Sequence, residues 1–332
     1  MVDSSLSKTL HDIGEKSLVE RILSRITLGP HHVLPKGDDA VAVDFMGKLV
    51  VSTDMLVEST DVPPGMDMES VGWKALTMVV SDLAAKGATP MLYLISLGLP
   101  RSMTLEQFEA FWNGLEKAAH YYGGTIAGGD TNEAQEVIVS CVGIGFAERV
   151  VPRRGAHVGD VLATTGLFGR SAAGLNALLM GIEDVDESLK HAVLRPMARS
   201  KEGPILAKYA TSCIDSSDGL ATSLHELAKQ SGVGFEVTAP PVDMTAKKFA
   251  EKHGLDIFNL VFYGGEEYEL VFTVSRDNLE AAKKALASIN RELIEIGKVV
   301  PRSEGITAIW EGRRISIEYK GWDHFLRNKS LQ

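Results

Sequence analysis

The sequence predicts a mixed α/β protein of two domains. Its 332 residues are 45% hydrophobic, which is enough to build more than one core at roughly 100–200 residues per domain. Apolar runs of strand length alternate with segments of helical apolar spacing along the chain. The polar and basic stretch "ERVVPRRGAHVGD", which begins at residue 148, interrupts that alternation. We therefore expect an N-terminal domain at 1–148 and a C-terminal domain at 149–332.

The N-terminal half begins with "SLSKTLHDIGEKSLVERILSRI", whose leucines and isoleucines recur at helical spacing. This predicts an amphipathic helical arm, which either packs on its own domain or reaches over a neighbouring subunit. Apolar runs at 41–45 and 49–52 predict strands, and the second is expected to end on Asp54.

Two long helices are expected after these strands. One runs from about Glu69 to Lys86 and is ended by Gly87, and the other begins at Thr104, a typical N-cap residue. The run "MLYLISLGLP" between the two helices predicts a strand. Further strands are predicted at 124–127, 137–146 and 161–165, and a helix at 171–180.

Charge and cysteine content exclude several function classes. With 34 Lys and Arg against 44 Asp and Glu, the net charge is −10, and no basic run offers a surface to nucleic acid or an anionic membrane. The two cysteines, Cys141 and Cys213, lie in apolar stretches, which favours a reducing compartment over a disulfide scaffold. No apolar run reaches about 18 residues, and no signal-peptide pattern opens the chain. The sequence predicts a cytoplasmic protein.

Six aspartates lie at the ends of apolar elements or beside glycines. A carboxylate directed into the protein interior is costly unless it is paired, hydrogen-bonded or bound to metal. Oxygen ligands without a His or Cys cluster suit Mg²⁺, and strand ends are where α/β sheets usually bind ligands. The alternative is that each one is a turn former or helix cap. The six residues are Asp39, Asp54, Asp82, Asp130, Asp215 and Asp218.

Asp82 differs from the others because it lies inside an apolar helix. Lys74, Thr77, Ser81 and Asp82 fall at i, i+3, i+7 and i+8 and form one narrow polar stripe on that helix. The stripe is expected to meet either solvent or a polar site.

Glycine-rich segments give a weaker indication of phosphate binding. Neither a P-loop nor a Gly-x-Gly-x-x-Gly turn is present. The segment "TTGLFGRSAAG" (164–174) would offer helix N-terminal amides to an anion, or is simple turn chemistry. Arg153 and Arg154 would clamp a phosphate, or form an exposed pair between domains. Two other segments of this kind are "GGDT" (128–131) and "YGGEEYEL" (263–270).

Eight motifs occur in a fixed order between about residues 36 and 325. Together they resemble the thiamine-monophosphate kinases, which are members of the superfamily of AIR synthase, selenophosphate synthetase and the hydrogenase-maturation dehydratase. The resemblance implies a two-domain AIR-synthase-like fold whose N-terminal domain pairs in a homodimer to form a shared β-barrel, followed by a C-terminal α/β domain. The motifs are "KGDDAVAV", "VVSTDMLVE", "VVSDLAAKGATP", "AGGDT", "RRGAHVGDVLATTG", "IDSSDGL", "GGEEYELVF" and "KGWDHF".

The resemblance also implies an activity: direct in-line transfer of the γ-phosphoryl group of ATP to thiamine monophosphate, which gives thiamine diphosphate and ADP. Because the acceptor is already a phosphate oxygen, no catalytic side chain is expected, and catalysis would depend on positioning and on charge neutralisation by several Mg²⁺ ions. The implied magnesium ligands are Asp39, Ser52, Thr53, Asp54, Asp82, Asp130, Asp215 and Asp218. The implied ATP contacts are Tyr122, Gly129, Asp130, Arg153 and Ser217, and the implied substrate contacts are Asp61, Glu266 and Trp322.

Asp61 departs from the family pattern. Thiamine-monophosphate kinases commonly continue the strand with "VEGVHF" or a similar ending, in which a histidine contacts substrate, whereas this chain has "VESTDVPPG". A carboxylate cannot donate a hydrogen bond as imidazole can, and it would repel the substrate phosphate unless a metal or water intervened. It would equally accept from the aminopyrimidine or face the cationic thiazolium, so the departure leaves the acceptor substrate open.

Other functions were weighed against the sequence. Selenophosphate synthetase would need a reactive cysteine near the N-terminus, but the first cysteine is Cys141. The hydrogenase-maturation protein ends in cysteine, whereas this chain ends in "NKSLQ". AIR synthase would lack this combination of motifs. A same-fold phosphotransferase for another phosphorylated metabolite and a non-catalytic protein that binds ATP and Mg²⁺ stay open, although the complete set of acids favours an active kinase.

Overall fold

The chain divides into two compact units. The computed structural model describes residues 8–27, 45 and 47–322, except for the side chains of residues 14–16. Unit 1 comprises Met1–Leu83 and Thr89–Phe146, and unit 2 comprises Ala84–Ala88 and Ala147–Gln332. Among the helices of the described ranges, none has the length and apolar content needed to cross a membrane.

The described residues of unit 1 form four helices and four strands. The long helices α3 and α4 are the two predicted from the sequence, and Thr104 caps α4 as expected. In chain order the elements are α1 (Leu10–Arg25), β1 (Lys48–Val57), α2 (Glu58–Asp61), α3 (Met68–Ala85), β2 (Thr89–Leu99), α4 (Leu105–Tyr122), β3 (Thr125–Glu133) and β4 (Ile138–Ala147). The last residues of α3 and of β4 belong to unit 2.

The four strands form one sheet in the order β1-β4-β2-β3. β2 pairs in parallel with β3 and antiparallel with β4. One face of the sheet is covered, since a Cβ placed on Gly143 of β4 would lie 2.8 Å from the Val79 side chain of α3. Along β4 buried residues alternate with more exposed ones, as expected for a sheet with one covered face.

Helices α3 and α4 cross at unusually close range. A Cβ on Gly72 of α3 would lie 2.0 Å from the Phe111 carbonyl oxygen, and one on Gly114 of α4 would lie 1.9 Å from the Glu69 carbonyl oxygen. The two glycines therefore let the backbones touch where any side chain would separate them.

The N-terminal arm packs on its own unit. Thr9 caps α1 in a capping box with Asp12. Arg25, in the last turn of α1, forms ion pairs with Glu109 and Glu116 of α4. The structure therefore agrees with the interpretation of the arm as a helix packed on its own domain.

Unit 2 contains seven helices and seven strands among its described residues. In chain order they are β5 (Val161–Thr164), α5 (Arg170–Leu179), α6 (Glu187–Leu194), α7 (Glu202–Leu206), β6 (Ala210–Asp215), α8 (Leu220–Ser231), β7 (Val233–Val237), α9 (Met244–His253), α10 (Ile257–Phe262), β8 (Leu270–Val274), α11 (Arg276–Ala287), β9 (Ile294–Pro301), β10 (Ile306–Trp310) and β11 (Arg313–Ser316).

The strands of unit 2 form a seven-stranded mixed sheet in the order β11-β10-β7-β9-β5-β8-β6. All five residues of β8 are buried, because the sheet is covered on both faces. Val271 packs in a core with Leu224 of α8. Its neighbour Phe272 points to the other face and packs with Leu206 of α7 and Leu286 of α11.

Two strand boundaries correct the sequence prediction. Asp54 and Asp130 were expected at strand ends, but β1 continues to Val57 and β3 to Glu133. β1 continues because Met55, Leu56 and Val57 are apolar, and β3 continues because its register with β2 extends to Leu99. Both acids therefore lie within strands, and among the acids expected at strand ends only Asp215 ends its strand.

We predict that Gly72→Ala destabilises the protein. In an exposed helix interior this change usually gains up to about 1 kcal/mol, whereas here the new methyl group would overlap the backbone of α4 at a cost of about 1–3 kcal/mol. Urea unfolding measures the sign. Glu106→Ala, at an exposed position of α4, is the control and should stay within about 0.5 kcal/mol of wild type. Stabilisation by Gly72→Ala would contradict the close crossing.

Candidate functional site

In unit 1 the structure joins two of the predicted metal ligands directly. The hydroxyl group of Ser52 on β1 donates a hydrogen bond to Oδ2 of Asp82 on α3. Asp54 follows on the same face of β1, two residues further on, and both Ser52 and Asp54 are half-buried. The pKa of the Cys141 thiol on β4 is raised by burial and further by the negative charge of Asp54. Asp54 therefore lies beside the covered part of the sheet.

Thr53 is separated from its neighbours by the strand itself. Successive side chains of a strand point to opposite faces, and Thr53 is exposed while Ser52 and Asp54 are half-buried. Its side chain does not face the same space as theirs.

The polar stripe of α3 meets polar groups of the protein. Lys74 is 1% exposed, and its Nζ donates to the Asp61 carbonyl oxygen at 2.6 Å. The hydroxyl of Thr77 lies 3.0 Å from that of Tyr122 on α4. The sequence left solvent or a polar site as the surroundings of this stripe. At Lys74 and Thr77 the stripe meets buried polar groups of the protein and not solvent. The predicted nucleotide contact Tyr122 is itself a buried residue that bonds to this stripe.

The carboxylate of Asp61 is engaged locally. Its Oδ2 accepts a hydrogen bond from the Val57 backbone amide at 2.7 Å, across the short helix α2. Its role toward a substrate stays a prediction.

Asp130 and Gly129 lie on β3, next to β2. Asp130 is exposed and pairs in register with Ser96, and Gly129 pairs with Ile95. A Cβ on Gly129 would lie 1.8 Å from the Ile95 carbonyl oxygen, so the pairing of the two strands itself requires glycine at this position. Asp39 lies outside the described residues.

Unit 2 brings five predicted site residues together where β6 ends. Asp215 is the last residue of β6 and is buried, and the chain then turns through Ser217 and Asp218 before α8 begins. The backbone amide of Glu266 donates to the Ser217 carbonyl oxygen at 2.6 Å, and the amide of Trp322 donates to the Asp218 carbonyl oxygen at 3.2 Å. We call Asp215, Ser217, Asp218, Glu266 and Trp322 the strand-end cluster.

The segment that carries Glu266 has an uncommon backbone. Glu266 has φ 62° and Tyr268 has φ 52°, in the left-handed region that side chains other than glycine seldom adopt. Such conformations persist where surrounding contacts enforce them, and they concentrate at functional sites. Here the contacts are strong, since Tyr268 is buried and its amide donates to the Ser216 carbonyl oxygen at 3.0 Å.

The sequence analysis assigned no role to the two other acids of this segment. Glu269 is 1% exposed. It accepts from both Nε and Nη2 of Arg199, and from the Thr165 hydroxyl at 2.7 Å. This bidentate pairing compensates a buried carboxylate that would otherwise be costly. The acids of "GGEEYEL" directly before the buried strand β8 were the available signal, because carboxylates beside an apolar strand need partners.

Glu267 binds the N-terminus of α5. Its Oε1 accepts from the amide of Gly169 at 2.7 Å and from the amide of Ser171 at 3.1 Å. The sequence analysis raised the hypothesis that this helix end offers its amides to an anion. In the structure these two amides bind the Glu267 carboxyl group of the same chain. The hypothesis that they bind a phosphate is therefore wrong.

Burial raises the pKa of Glu267 to about 7, and the nearby charge of Glu269 acts in the same direction. The two amides and the positive charge of Arg170 act in the opposite direction without cancelling the effect of burial. A protonated Glu267 still accepts both amide hydrogen bonds through its carbonyl oxygen.

Arg153 lies near the strand-end cluster. It is half-buried, and its carbonyl oxygen accepts from the Ser231 hydroxyl at 3.3 Å. The pKa of the Tyr319 phenol is raised by partial burial, by its hydrogen bond to Glu226 and by Asp218, and Arg153 counteracts this shift. Arg153 and Asp218 therefore act on the same part of the surface. Arg154 is exposed.

The donor set fits a hard cation. No group of three or more His, Cys, Asp or Glu residues close enough to hold a metal occurs within the described part of the chain. Mg²⁺, however, is commonly held by one or two carboxylates together with water and substrate phosphates. The hydroxyl of Ser52 with the carboxylates of Asp54 and Asp82 supplies such oxygens. The two thiols are excluded as ligands of this kind, because Cys141 and Cys213 are buried, free and shifted to higher pKa by burial.

Family models match most of the chain. The model described as "AIR synthase related protein, N-terminal domain" matches residues 37–147, and the model described as "AIR synthase related protein, C-terminal domain" matches residues 157–309. Fold and matched domains together define the chain as an AIR synthase related protein of two domains.

Comparison with similar proteins specifies the family within the AIR synthase related proteins. The chain is 38% identical to a thiamine-monophosphate kinase of Nitrosopumilus maritimus, over 87% of this chain and 93% of the relative. It is 33% identical to that of Aquifex aeolicus, over 95% and 99%. The solved structure "AaThiL complexed with AMPPCP and TMP" is similar with a TM-score of 0.75 and 32% identity, over 97% of this chain and all of the other. The chain belongs to the thiamine-monophosphate kinase family.

We predict that the stability difference between Glu267→Gln and wild type changes with pH. The pKa of about 7 in the folded protein exceeds the ordinary value near 4.5, so the fold favours the protonated carboxyl. That contribution is complete below about pH 4.5 and is lost as the pH rises through about 7. Glutamine does not titrate, so the variant should gain up to about 3 kcal/mol relative to wild type between pH 4.5 and 8, at about 1.36 kcal/mol per pKa unit.

Urea unfolding at several pH values measures this difference. Glu292→Gln, which removes an exposed carboxylate, is the control. A difference between Glu267→Gln and wild type that stays constant across this range would show that Glu267 does not favour its protonated form in the fold.

Proposed function

We propose that this protein transfers the γ-phosphoryl group of ATP to the phosphate of thiamine monophosphate, giving thiamine diphosphate and ADP. The relatives that carry the name thiamine-monophosphate kinase match this chain over most of its length. AaThiL, at 32% identity, is complexed with AMPPCP, an analogue of ATP, and with TMP. From that similarity we propose that this chain binds the same two classes of ligand.

The observation that best supports the proposal is the strand-end cluster. Two residues predicted to contact the acceptor, Glu266 and Trp322, are tied by backbone hydrogen bonds to the turn that holds Ser217 and Asp218. A predicted nucleotide contact, a predicted metal ligand and two predicted acceptor contacts thus lie on three segments that backbone hydrogen bonds hold together. Phosphoryl transfer requires donor and acceptor phosphates to be held in line, and rigid placement of their contacts supplies much of the rate.

Mg²⁺ is the proposed metal. When bound, it would neutralise the charge of the transferring phosphates and hold their oxygens. In unit 1 the proposed ligands are Asp54, Asp82 and Ser52, with Asp130 and Asp39 carried from the family. Thr53 is also carried from the family, but because its side chain faces the other side of β1 it would bind only through its backbone carbonyl oxygen. In unit 2 they are Asp215 and Asp218.

Each organic ligand has its own proposed contacts. Arg153 and Ser217 would bind the ATP phosphates, and Tyr122, Gly129 and Asp130 would contribute further contacts. Trp322 is 45% exposed, and we propose that its ring stacks on the thiamine rings, whose thiazolium charge favours an aromatic face. Glu266 and Asp61 complete the proposed acceptor site.

The proposed mechanism requires no general base. The attacking atom is an oxygen of the thiamine monophosphate phosphate group, which is ionised at neutral pH. The side chains would position this oxygen and exclude water, and transfer then occurs without proton removal by the protein. The acid-rich site would not hold two polyanions without bound cations.

We also propose the domain roles and the dimer implied by the family. The N-terminal domain, 1–148, would bind ATP and Mg²⁺ and pair with its copy, and 149–332 would be the second α/β domain. Three large apolar side chains of β1 support the pairing, since Leu49, Val51 and Met55 are 48%, 56% and 56% exposed on one face. Such a patch usually marks an interface. The cytoplasmic location stays a prediction from the sequence.

A turnover assay tests the function. Purified protein is incubated with ATP, Mg²⁺ and thiamine monophosphate, and ADP and thiamine diphosphate are quantified separately, with free thiamine as a parallel acceptor. Equal amounts of both products from the monophosphate alone are expected. ADP without thiamine diphosphate would point to another phosphorylated acceptor, and no ADP at all would point to a non-catalytic protein.

We predict that Asp54→Asn and Asp130→Asn each reduce kcat at least ~100-fold, because each removes a charge from the proposed metal site. Thermal unfolding midpoints should stay near wild type, because neither carboxylate lies in an apolar core. Asp277→Asn, in the first turn of α11, is the control and should leave kcat unchanged. Wild-type rates in either variant would remove that residue from the metal site.

We predict that Val51→Asp converts the proposed dimer to a monomer, since it places a charge in the apolar face of β1. Val158→Asp is the matched control, because Val158 is 59% exposed in unit 2. Light scattering after gel filtration gives the mass, which should be twice that of the chain for wild type and for the control. An unchanged dimer in Val51→Asp would place the interface elsewhere.

A further inference from the structure

A buried carboxyl group outside the predicted site, that of Glu267, bonds the segment that contains Glu266 to the start of α5. Glu267 is 9% exposed, and one of its oxygens bridges two amides of the first turn of α5. Gly169, the N-cap residue of this helix, provides no side-chain cap. Glu267 supplies the missing cap from a position 98 residues away in sequence.

A second contact joins the same two segments. The hydroxyl group of Ser171 donates to the Gly265 carbonyl oxygen at 2.5 Å. Gly264 also lies against α5, because a Cβ there would be 2.5 Å from the Ala172 methyl group. The residues before and after Glu266 are therefore both fastened to the first turn of α5.

Glu266 is held between these attachments. Its φ of 62° turns the backbone, and its amide donates to the Ser217 carbonyl oxygen at 2.6 Å. A left-handed conformation of a residue other than glycine costs about 1–3 kcal/mol and persists only where neighbouring contacts enforce it. Because Glu267 is the next residue, its bonds to α5 fix the direction in which the backbone leaves Glu266.

We propose that Glu267 is a positioning residue for the acceptor site: by capping α5 it holds Glu266 in the strained conformation that presents it to thiamine monophosphate. This inference rests on the proposed function. Glu267 itself contacts neither ligand in this proposal and acts only through its neighbour.

The control is Asp186. It is the N-cap residue of the eight-residue helix α6 and accepts from the backbone amide and the hydroxyl group of Ser188. Asp186→Ala thus removes a helix cap and two hydrogen bonds from the same unit as Glu267→Ala. Both bonds lie at the start of α6, so their loss leaves the bonds between the first turn of α5 and the 264–269 segment in place.

Steady-state kinetics of Glu267→Ala, Glu267→Gln and Asp186→Ala test the proposal. Glu267→Ala should raise the KM for thiamine monophosphate at least tenfold, with a change in the KM for ATP of threefold or less. Glu267→Gln keeps an oxygen acceptor for both amides and should stay within threefold of wild type. Asp186→Ala should lower the unfolding midpoint, because it removes a helix cap, with both KM values within threefold of wild type.

Three results would overturn the proposal. They are an unchanged KM for thiamine monophosphate in Glu267→Ala, an equal rise of that KM in Asp186→Ala, and a Glu267→Gln variant as impaired as Glu267→Ala. The second would mean that loss of any helix cap in unit 2 disturbs the acceptor site, so that Glu267 has only a structural role.

Amide hydrogen exchange separates this proposal from the proposed function. In Glu267→Ala, amides of residues 264–269 should exchange at least tenfold faster than in wild type, and in Asp186→Ala they should be unchanged. If wild type does not phosphorylate thiamine monophosphate, the proposed function fails, and exchange still decides whether Glu267 fixes the segment. Unchanged exchange in Glu267→Ala would refute the positioning role under either outcome.

Discussion

The cost of placing a carboxylate inside a protein determines how this site is built. An acid removed from water must be paired, hydrogen-bonded, protonated or bound to a cation. Glu269 is paired with Arg199, Glu267 binds two helix amides and has its pKa raised by burial, and Asp82 accepts from Ser52. Each solution ties one segment of the chain to another that is distant in sequence, so the buried acids also fix the geometry around them.

Most of the acids that carry the proposed chemistry are less buried than Glu267 and Glu269. Asp54 and Asp82 are half-buried, and Asp130 and Asp218 are exposed, whereas Asp215 is buried at the end of its strand. The buried Glu267 and Glu269 instead hold the segment that contains Glu266. The protein itself thus compensates these two acids, and only the proposed ligands depend on bound Mg²⁺ for compensation.

Local patterns in the sequence predicted much of the fold. Helices α3 and α4 were predicted because apolar spacing, a capping threonine and a terminal glycine all agreed. The ends of β1 and β3 were predicted wrongly, because Asp54 and Asp130 were treated as strand ends although strand pairing continues through them. Apolar periodicity ends a predicted strand at a polar residue, and it does not show that backbone pairing continues through that residue. The carboxylate of Asp61, whose departure from the family pattern left the acceptor open, accepts from the Val57 amide.

The role of Glu267 was beyond sequence reasoning for a different reason. Its partners lie in α5, 98 residues earlier in the chain, and only the folded backbone brings them together. A shared site was likewise predicted only from the resemblance to a family for Ser217, Asp218, Glu266 and Trp322, because these residues are far apart in the sequence. The structure explains that association by backbone hydrogen bonds between three distant segments.

Transfer of labelled phosphate tests the central claim most directly. The protein is incubated with thiamine monophosphate, Mg²⁺ and ATP labelled in the γ-phosphoryl group, and the label is located by chromatography of the products. The account predicts that the label appears in thiamine diphosphate in an amount equal to the ADP formed, and that chelation of Mg²⁺ abolishes transfer. Label in inorganic phosphate alone, or transfer that persists after chelation, would contradict it.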